Sequence, residues 1–198
     1  MSNSRAQKLH KEGVELFRKD QPEAALQKFN DALALYDDTD QARHVAEIYN
    51  DVGVVETQLE DFSAARAALD QAMERFTTAG DEKGKAQTLG NRAALHEAEG
   101  DMESAVDIYK ESAAIFEALG ENDMAMYVWQ AVSRLRMRQG QYIAAIGAYE
   151  EGVDNMPEGS FKRKVLGQIL KAPNSLLGGS GGSSHEIEED DEDEDEGA

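Results

Sequence analysis

The chain has 198 residues and 40 acidic side chains against 20 lysines and arginines, for a net charge of −20 at pH 7, which sets it against phosphate and so against nucleic acid as a partner. Cysteine is absent, so disulfides, thiol catalysis and cysteine-ligated metals are excluded together. No apolar run approaches the roughly 18–20 residues that span a membrane, and the opening Met1-Ser2-Asn3-Ser4-Arg5 has no apolar signal core, so a cytoplasmic protein without a membrane segment is expected.

In chain order, the spacing of apolar and small residues predicts a helix over 4–19 and a second over 22–36. The second starts on Pro22, whose missing N–H costs nothing at the first helical position. Helices follow over 41–59, 62–79, 82–99, 102–119, 122–139 and 142–156. Asp61 and Asp101 stand where two of them begin, and their carboxylates can accept from free N–H groups. Gly80, Gly100, Gly120 and Gly140 fall at helix ends, as C-terminal caps do. A ninth helix is expected over 160–171, where Val165, Leu166, Ile169 and Leu170 form one apolar stripe that would cover the exposed end of the last unit. Residues 172–185 then read as a flexible Gly/Ser linker, from Gly178 to Ser184 in particular. Residues 186–198 hold ten acids between Glu186 and Glu196, and like-charge repulsion keeps such a segment disordered. By contrast, seven bases against four acids give residues 134–171 a local charge of +3.

A step of 40 residues organises the whole pattern. Leu9, Tyr49, Leu89 and Trp129 form a large column, and four residues on stand Gly13, Gly53, Ala93 and Ser133, all small. Ala25, Ala65, Ala105 and Ala145 are identical; Phe29, Leu69, Tyr109 and Tyr149 are large. Ala32, Ala72, Ser112 and Gly152 are small, and Tyr36, Phe76, Phe116 and Met156 close the unit. Antiparallel helices approach closely only where both present small side chains, so the small columns mark crossing points. Large residues beside them fill the remaining space. The expected fold is all-α: four two-helix units, each covering the apolar face of the one before it.

These columns resemble the tetratricopeptide repeat, whose pattern Trp129, Ser133, Ala145, Tyr149, Gly152 and Pro157 match in the last copy. The 40-residue unit is similar to the longer variant of kinesin light chains, Leu-Gly-Asn-repeat spindle adaptors and many bacterial regulators. The phrases Ala79-Gly80-Asp81-Glu82-Lys83-Gly84 and Leu119-Gly120-Glu121-Asn122-Asp123 are typical of that variant. The resemblance covers residues 5–157, and 171 with the capping helix. It implies a right-handed α-α superhelix whose first helices line a concave groove for a protein or peptide ligand. By the same resemblance the groove would be lined by Gln7, His10, Val14, Phe17 and Arg18 in the first copy, Glu47, Asn50, Asp51, Val54, Thr57 and Gln58 in the second, Gln87, Gly90, Asn91, Ala94 and Glu97 in the third, and Tyr127, Gln130, Arg134, Met137 and Arg138 in the fourth. Co-chaperone members of the family clamp a C-terminal carboxylate, but of the matching positions His10, Val14, Asp51, Gln87 and Asn91 only Asn91 fits. That ligand class is not expected.

Among individual residues, Asn50 and Asn91 either hydrogen-bond the backbone of an extended peptide, since an amide offers both a donor and an acceptor, or are solvated. Arg134 and Arg138 lie four apart on one helix face, with Tyr127 and Gln130 nearby. They either take a carboxylate from a ligand or pair within the chain. Arg136 falls at a position usually apolar in the family and is expected to snorkel, and Trp129 to pack. His96, Glu97 and Glu56 could suggest acid–base chemistry, but no nucleophile matches them, so no catalytic residue is expected. No two of His10, His44, His96 and His185 share metal-ligand spacing, so neither a metal nor another cofactor is expected. The acidic tail either serves only to solubilise the chain or folds onto a basic patch at Lys162, Arg163 and Lys164, within its reach of roughly 20 Å. The expected function is a non-enzymatic adaptor that holds a partner's peptide segment in the groove, as a monomer or weak homodimer. The alternative is a chaperone-like holder of basic proteins that works through the acidic tail.

Overall fold

Small and large side chains at fixed spacing form helices that pack in pairs. The computed structural model describes residues 2–36, 42–156 and 163–164. Among them eight α-helices follow one another and no strand occurs: α1 (Ser2–Arg18), α2 (Pro22–Leu33), α3 (Ala42–Gln58), α4 (Phe62–Ala79), α5 (Glu82–Glu99), α6 (Met102–Ala118), α7 (Asn122–Arg138) and α8 (Tyr142–Asp154). The largest departure from expectation is at α2, which stops at Leu33 rather than 36. There the N–H groups of Leu35 and Tyr36 close tight turns onto the carbonyls of Ala32 and Leu33. The expected ninth helix, the linker, the acidic tail and Lys162 lie outside the described residues. None of the described helices is long and apolar enough to cross a membrane.

The caps explain where the helices begin and end. The carboxylates of Asp61, Asp81 and Asp101 accept from the N–H groups of Ala64, Gly84 and Ser104 at 3.0, 2.9 and 3.2 Å. Each such bond satisfies one of the free donors at a helix start. Asp81 does the same work as the two caps anticipated from sequence. At the turn inside each unit the chain passes through the left-handed region, at Asp20 (φ 58°), Glu60 (φ 62°), Gly100 (φ 88°) and Gly140 (φ 74°). Only the last two have the residue that adopts this conformation without penalty.

Within a unit the two helices meet as the columns require. A Cβ on Gly13 would fall 2.5 Å from the Phe29 ring, and one on Gly53 would fall 2.5 Å from Leu69 Cγ. In the fourth unit Ser133 takes the small position, and its hydroxyl donates to the Ala145 carbonyl at 2.8 Å. Phe29, Leu69, Phe76 and Phe116 are almost wholly buried, and each such side chain withdrawn from water contributes roughly 1.5–3 kcal/mol. Trp129 packs against the core of the third and fourth units and donates its indole N–H to Glu117 at 2.7 Å. Successive units are also tied by ion pairs. Arg66 reaches Glu99 at 2.7 Å, and Arg136 reaches Glu103 at 2.8 Å. Arg136 therefore does more than snorkel: its side chain is only 13% exposed, and it also donates to Gln139 and Gln141.

Candidate functional site

The first helix of each unit (α1, α3, α5, α7) carries polar side chains that reach its counterpart in the next unit. From α1 to α3, His10 Nε2 lies 2.6 Å from Asp51 Oδ2. From α3 to α5, Asn91 Nδ2 donates to Asn50 Oδ1 at 3.0 Å. From α5 to α7, Glu97 accepts from both arginines, with Oε2 2.9 Å from Arg134 and Oε1 2.6 Å from Arg138. The three bridges form a polar ladder along one face of the array.

The first two rungs border a cleft of about 410 Å³ lined by His10, Glu47, Asn50, Asp51, Phe76, Gln87 and Asn91. Six of the seven come from the first-helix positions named from sequence. Phe76 was not among them, because it belongs to the second helix α4 and enters from behind at the junction with Gly84. A Cβ on Gly84 would overlap the Phe76 ring, so α5 closes over that ring only because glycine stands there. The cleft wall is mostly polar, and its two carboxylates have cationic or imidazole neighbours. Glu47 lies 3.4 Å from Arg43, which also reaches Asp81 at 3.1 Å. Asp51 faces His10.

The Asn50–Asn91 bond brings together two residues that the sequence singled out separately. It uses one acceptor of one amide and one donor of the other. Whichever way each amide is turned, the pair keeps N–H groups and a carbonyl oxygen for a further partner.

At the other end, Arg134 and Arg138 do converge, and the carboxylate they hold is Glu97 of the same chain. Beside them Tyr127 is 69% and Met137 52% exposed, and Gln130 is exposed. Tyr109 lies beneath. Burial, and then the Glu97 charge, push its phenol up to about 12. The ladder thus ends in a net positive, partly apolar patch, whereas the first cleft is anionic and amide-rich.

The residues considered for acid–base chemistry are not brought together. Glu97 is bound to the arginines, and the acidic neighbours of His96 Nδ1 are Asp101 at 3.5 Å and Glu99 at 3.8 Å. The Glu56 carboxyl is raised by burial and by Asp61. No group of three or more metal-ligating side chains occurs among the described residues. Of the basic patch, Arg163 donates to the Met156 carbonyl at 3.0 Å and lies 3.5 Å from Asp154. Lys164 is exposed.

The fold is a tetratricopeptide-type helical repeat, and solved structures share it. Aspartyl phosphate phosphatase F from Bacillus subtilis superposes with a TM-score of 0.75 at 12% identity, over 89% of this chain and 48% of its own. The Rap conjugation gene regulator of the plasmid pLS20, in complex with the Phr* peptide, gives 0.70 at 20% identity, over 87% and 49%. This chain thus spans about half the length of each. MamA gives 0.55 at 16% identity, over 76% and 77%. At these identities the likeness is one of fold. No curated protein matches the chain. Residues 57–163, more than half of the chain, match the soluble NSF attachment protein family. A helical-repeat array that matches over that length belongs to the soluble NSF attachment protein (SNAP) family.

Proposed function

We propose that this protein is a non-enzymatic adaptor that holds an extended segment of a partner protein along the first-helix face. The observation that carries this is the Asn50–Asn91 pair at a cleft of about 410 Å³. An extended peptide presents an N–H and a C=O at every residue, and each loses free energy if it leaves water unpaired. Two amides fixed to each other offer a donor and an acceptor without a side chain having to be ordered first, which lowers the cost of binding. Arg134, Arg138, Tyr127 and Gln130 add a second contact, for an acidic side chain flanked by an apolar one. The Rap regulator's complex with a peptide supports a peptide-holding role for such an array.

The test starts with randomised peptides presented to the full chain. Binders are then measured against Asn50→Ala/Asn91→Ala and against a chain cut before residue 178. The double substitution is expected to weaken binding tenfold or more, about 1.4 kcal/mol, with helicity unchanged. Binding that survives the double substitution and vanishes with the tail would overturn the groove reading in favour of a holder that acts through its acidic segment.

A further inference from the structure

A second cavity, of about 290 Å³, lies between α6 and α8. Its floor is Trp129, Val132 and Arg136 of α7, and one wall is Ala144, Gly147 and Ala148 of α8. Helical spacing turns those α7 side chains away from Tyr127 and Arg134, so the cavity opens on the face opposite the groove. α6 and α8 run side by side in the same direction. Arg136 ties Glu103 to Gln141 near their starts, and Asn155 reaches Glu117 at their ends.

The step of 40 shows what is missing from this furrow. In the furrow before it, Arg92 lies 3.8 Å from Asp70, and Ile108 packs against the apolar core. Forty residues on, Val132 stands for Arg92, Lys110 for Asp70, Gly147 for Asp107 and Ala148 for Ile108. The ion pair and both larger side chains are gone, and the cavity is the space they vacate. Glycine inside a helix is unfavourable against alanine, and at Gly53 and Gly84 a neighbour requires it, because a Cβ would overlap Leu69 or Phe76. At Gly147 nothing lies within 4 Å of such a Cβ. No contact among the described residues calls for the bare backbone, which lets another helix approach closely.

The shape and charge of the furrow specify that helix. From Gln141 to Glu151 its wall is straight and runs for about 15 Å, close to three helical turns. The floor is apolar at Val132 and at the Trp129 indole, which its bond to Glu117 holds in place. The rims carry opposite charges, Lys110 on α6 and Glu151 on α8. Both are exposed, and neither has an ion-pair partner among the described residues. We propose that this furrow docks an amphipathic helix of a partner protein, with an acidic residue on the Lys110 side of its apolar stripe and a basic residue on the Glu151 side. Apolar anchors one turn apart supply the affinity of such a contact, and the two rim charges fix the direction of the helix. The furrow is separate from the groove, and this docking does not depend on a ligand there.

Trp129 is the chain's one tryptophan, so its fluorescence reports on this cavity. Helical peptides with leucines fixed at i, i+3, i+4 and i+7 and randomised flanks are selected on the full chain, and the binders are titrated by Trp129 emission. Binders should carry an acid on one flank and a base on the other and shift the emission to the blue. Gly147→Ala/Ala148→Ile restores the isoleucine of the third unit; it should raise the urea midpoint and weaken the peptides tenfold or more. Selection on Lys110→Glu should return a base where the acid stood. A selection without binders would overturn the proposal, as would binders that leave the emission unchanged or hold the filled variant equally well. A blue-shifted emission that the peptide-free full chain loses on Leu166→Glu/Ile169→Glu would overturn it in favour of the chain's own C-terminal segment. One that it loses on dilution would overturn it in favour of a second copy.

Discussion

Alanine in a helix interior is favoured over glycine by roughly 0.8–1.0 kcal/mol, yet Gly53→Ala and Gly90→Ala are expected to act in opposite directions. Both glycines lie inside first helices. A Cβ at Gly90 would stand 3.7 Å from Ser112 Oγ, an ordinary contact, so Gly90→Ala should stabilise by about the full propensity gain. At Gly53 the added carbon would fall 2.5 Å from Leu69 Cγ, 2.6 Å from Cδ2 and 3.4 Å from the Ala65 carbonyl. Leu69 is 1% exposed, so turning its Cγ away about χ1 drives the side chain into the packed core around it. Overpacking of this kind costs about 1–3 kcal/mol, which exceeds the propensity gain and leaves a net loss of about 1 kcal/mol. The two variants should thus differ by about 2 kcal/mol, a factor of about 30 in the unfolding equilibrium. Urea unfolding followed by far-ultraviolet circular dichroism measures both, with Gly147→Ala as a second control, since nothing lies within 4 Å of a Cβ there. A rise in midpoint for Gly53→Ala equal to that of Gly90→Ala would refute the reading of the small column as helix-crossing points.

Asp61→Ala should cost about 1 kcal/mol by leaving the Ala64 N–H without its cap, read as a lower urea midpoint. Glu60→Gly should raise stability by about 0.5–1 kcal/mol, because Glu60 sits at φ 62° in a turn that Gly100 and Gly140 make freely. Hydrogen bonds from Ser104, and the His96 imidazole nearby, hold the Asp101 carboxyl below its ordinary 3.8. Its contribution is therefore full above that ordinary value and lost as pH falls through the lower folded one; an NMR titration that placed Asp101 at or above 3.8 would contradict this. Tyr109, pushed up to about 12 from 10.0, should give a late step in an ultraviolet pH titration. The stability tied to its neutral phenol is present below 10.0 and lost as pH climbs to about 12. Glu97→Gln should move that step down.

The fold was legible because the interlock of small on large depends only on residues a fixed distance apart in the chain. Gly13 against Phe29 and Gly53 against Leu69 are local pairs within one unit, and the step of 40 repeats them. The site was half legible. First-helix positions, Asn50 and Asn91 among them, follow from the repeat, but their mutual bond depends on the angle between neighbouring units, which no single unit encodes. A signal did exist: His10 with Asp51, Asn50 with Asn91 and Glu97 with Arg138 all stand 41 apart, one more than the repeat. The spacing of Arg134 and Arg138 makes them neighbours on one helix, whereas their shared carboxylate comes from another helix. Phe76 has no such signal, because it reaches the cleft from a second helix.

The same contrast separates what holds the array together from what it offers a partner. Side chains such as Phe29, Phe76 and Phe116 contribute kilocalories each inside the units, whereas half-exposed ion pairs such as Glu97 with Arg134 and Arg138 are worth about 0–1 kcal/mol. The ladder is therefore not what keeps the units stacked, and its chemistry can change from rung to rung without disturbing the fold. It does change: imidazole on carboxylate, amide on amide, then two guanidinium groups on one carboxylate. A function on a superfold is set by such replaceable surface groups rather than by the scaffold. The middle rung is the neutral one. A peptide backbone that crosses it meets no unpaired charge and pays little desolvation, while the anionic cleft on one side and the cationic patch on the other distinguish the two ends of the peptide. On the proposed reading, affinity comes from Asn50 and Asn91, and the flanking rungs set direction. Reversing the charges at Asp51 and Arg138 should then weaken a bound peptide of defined polarity while leaving the urea midpoint nearly unchanged.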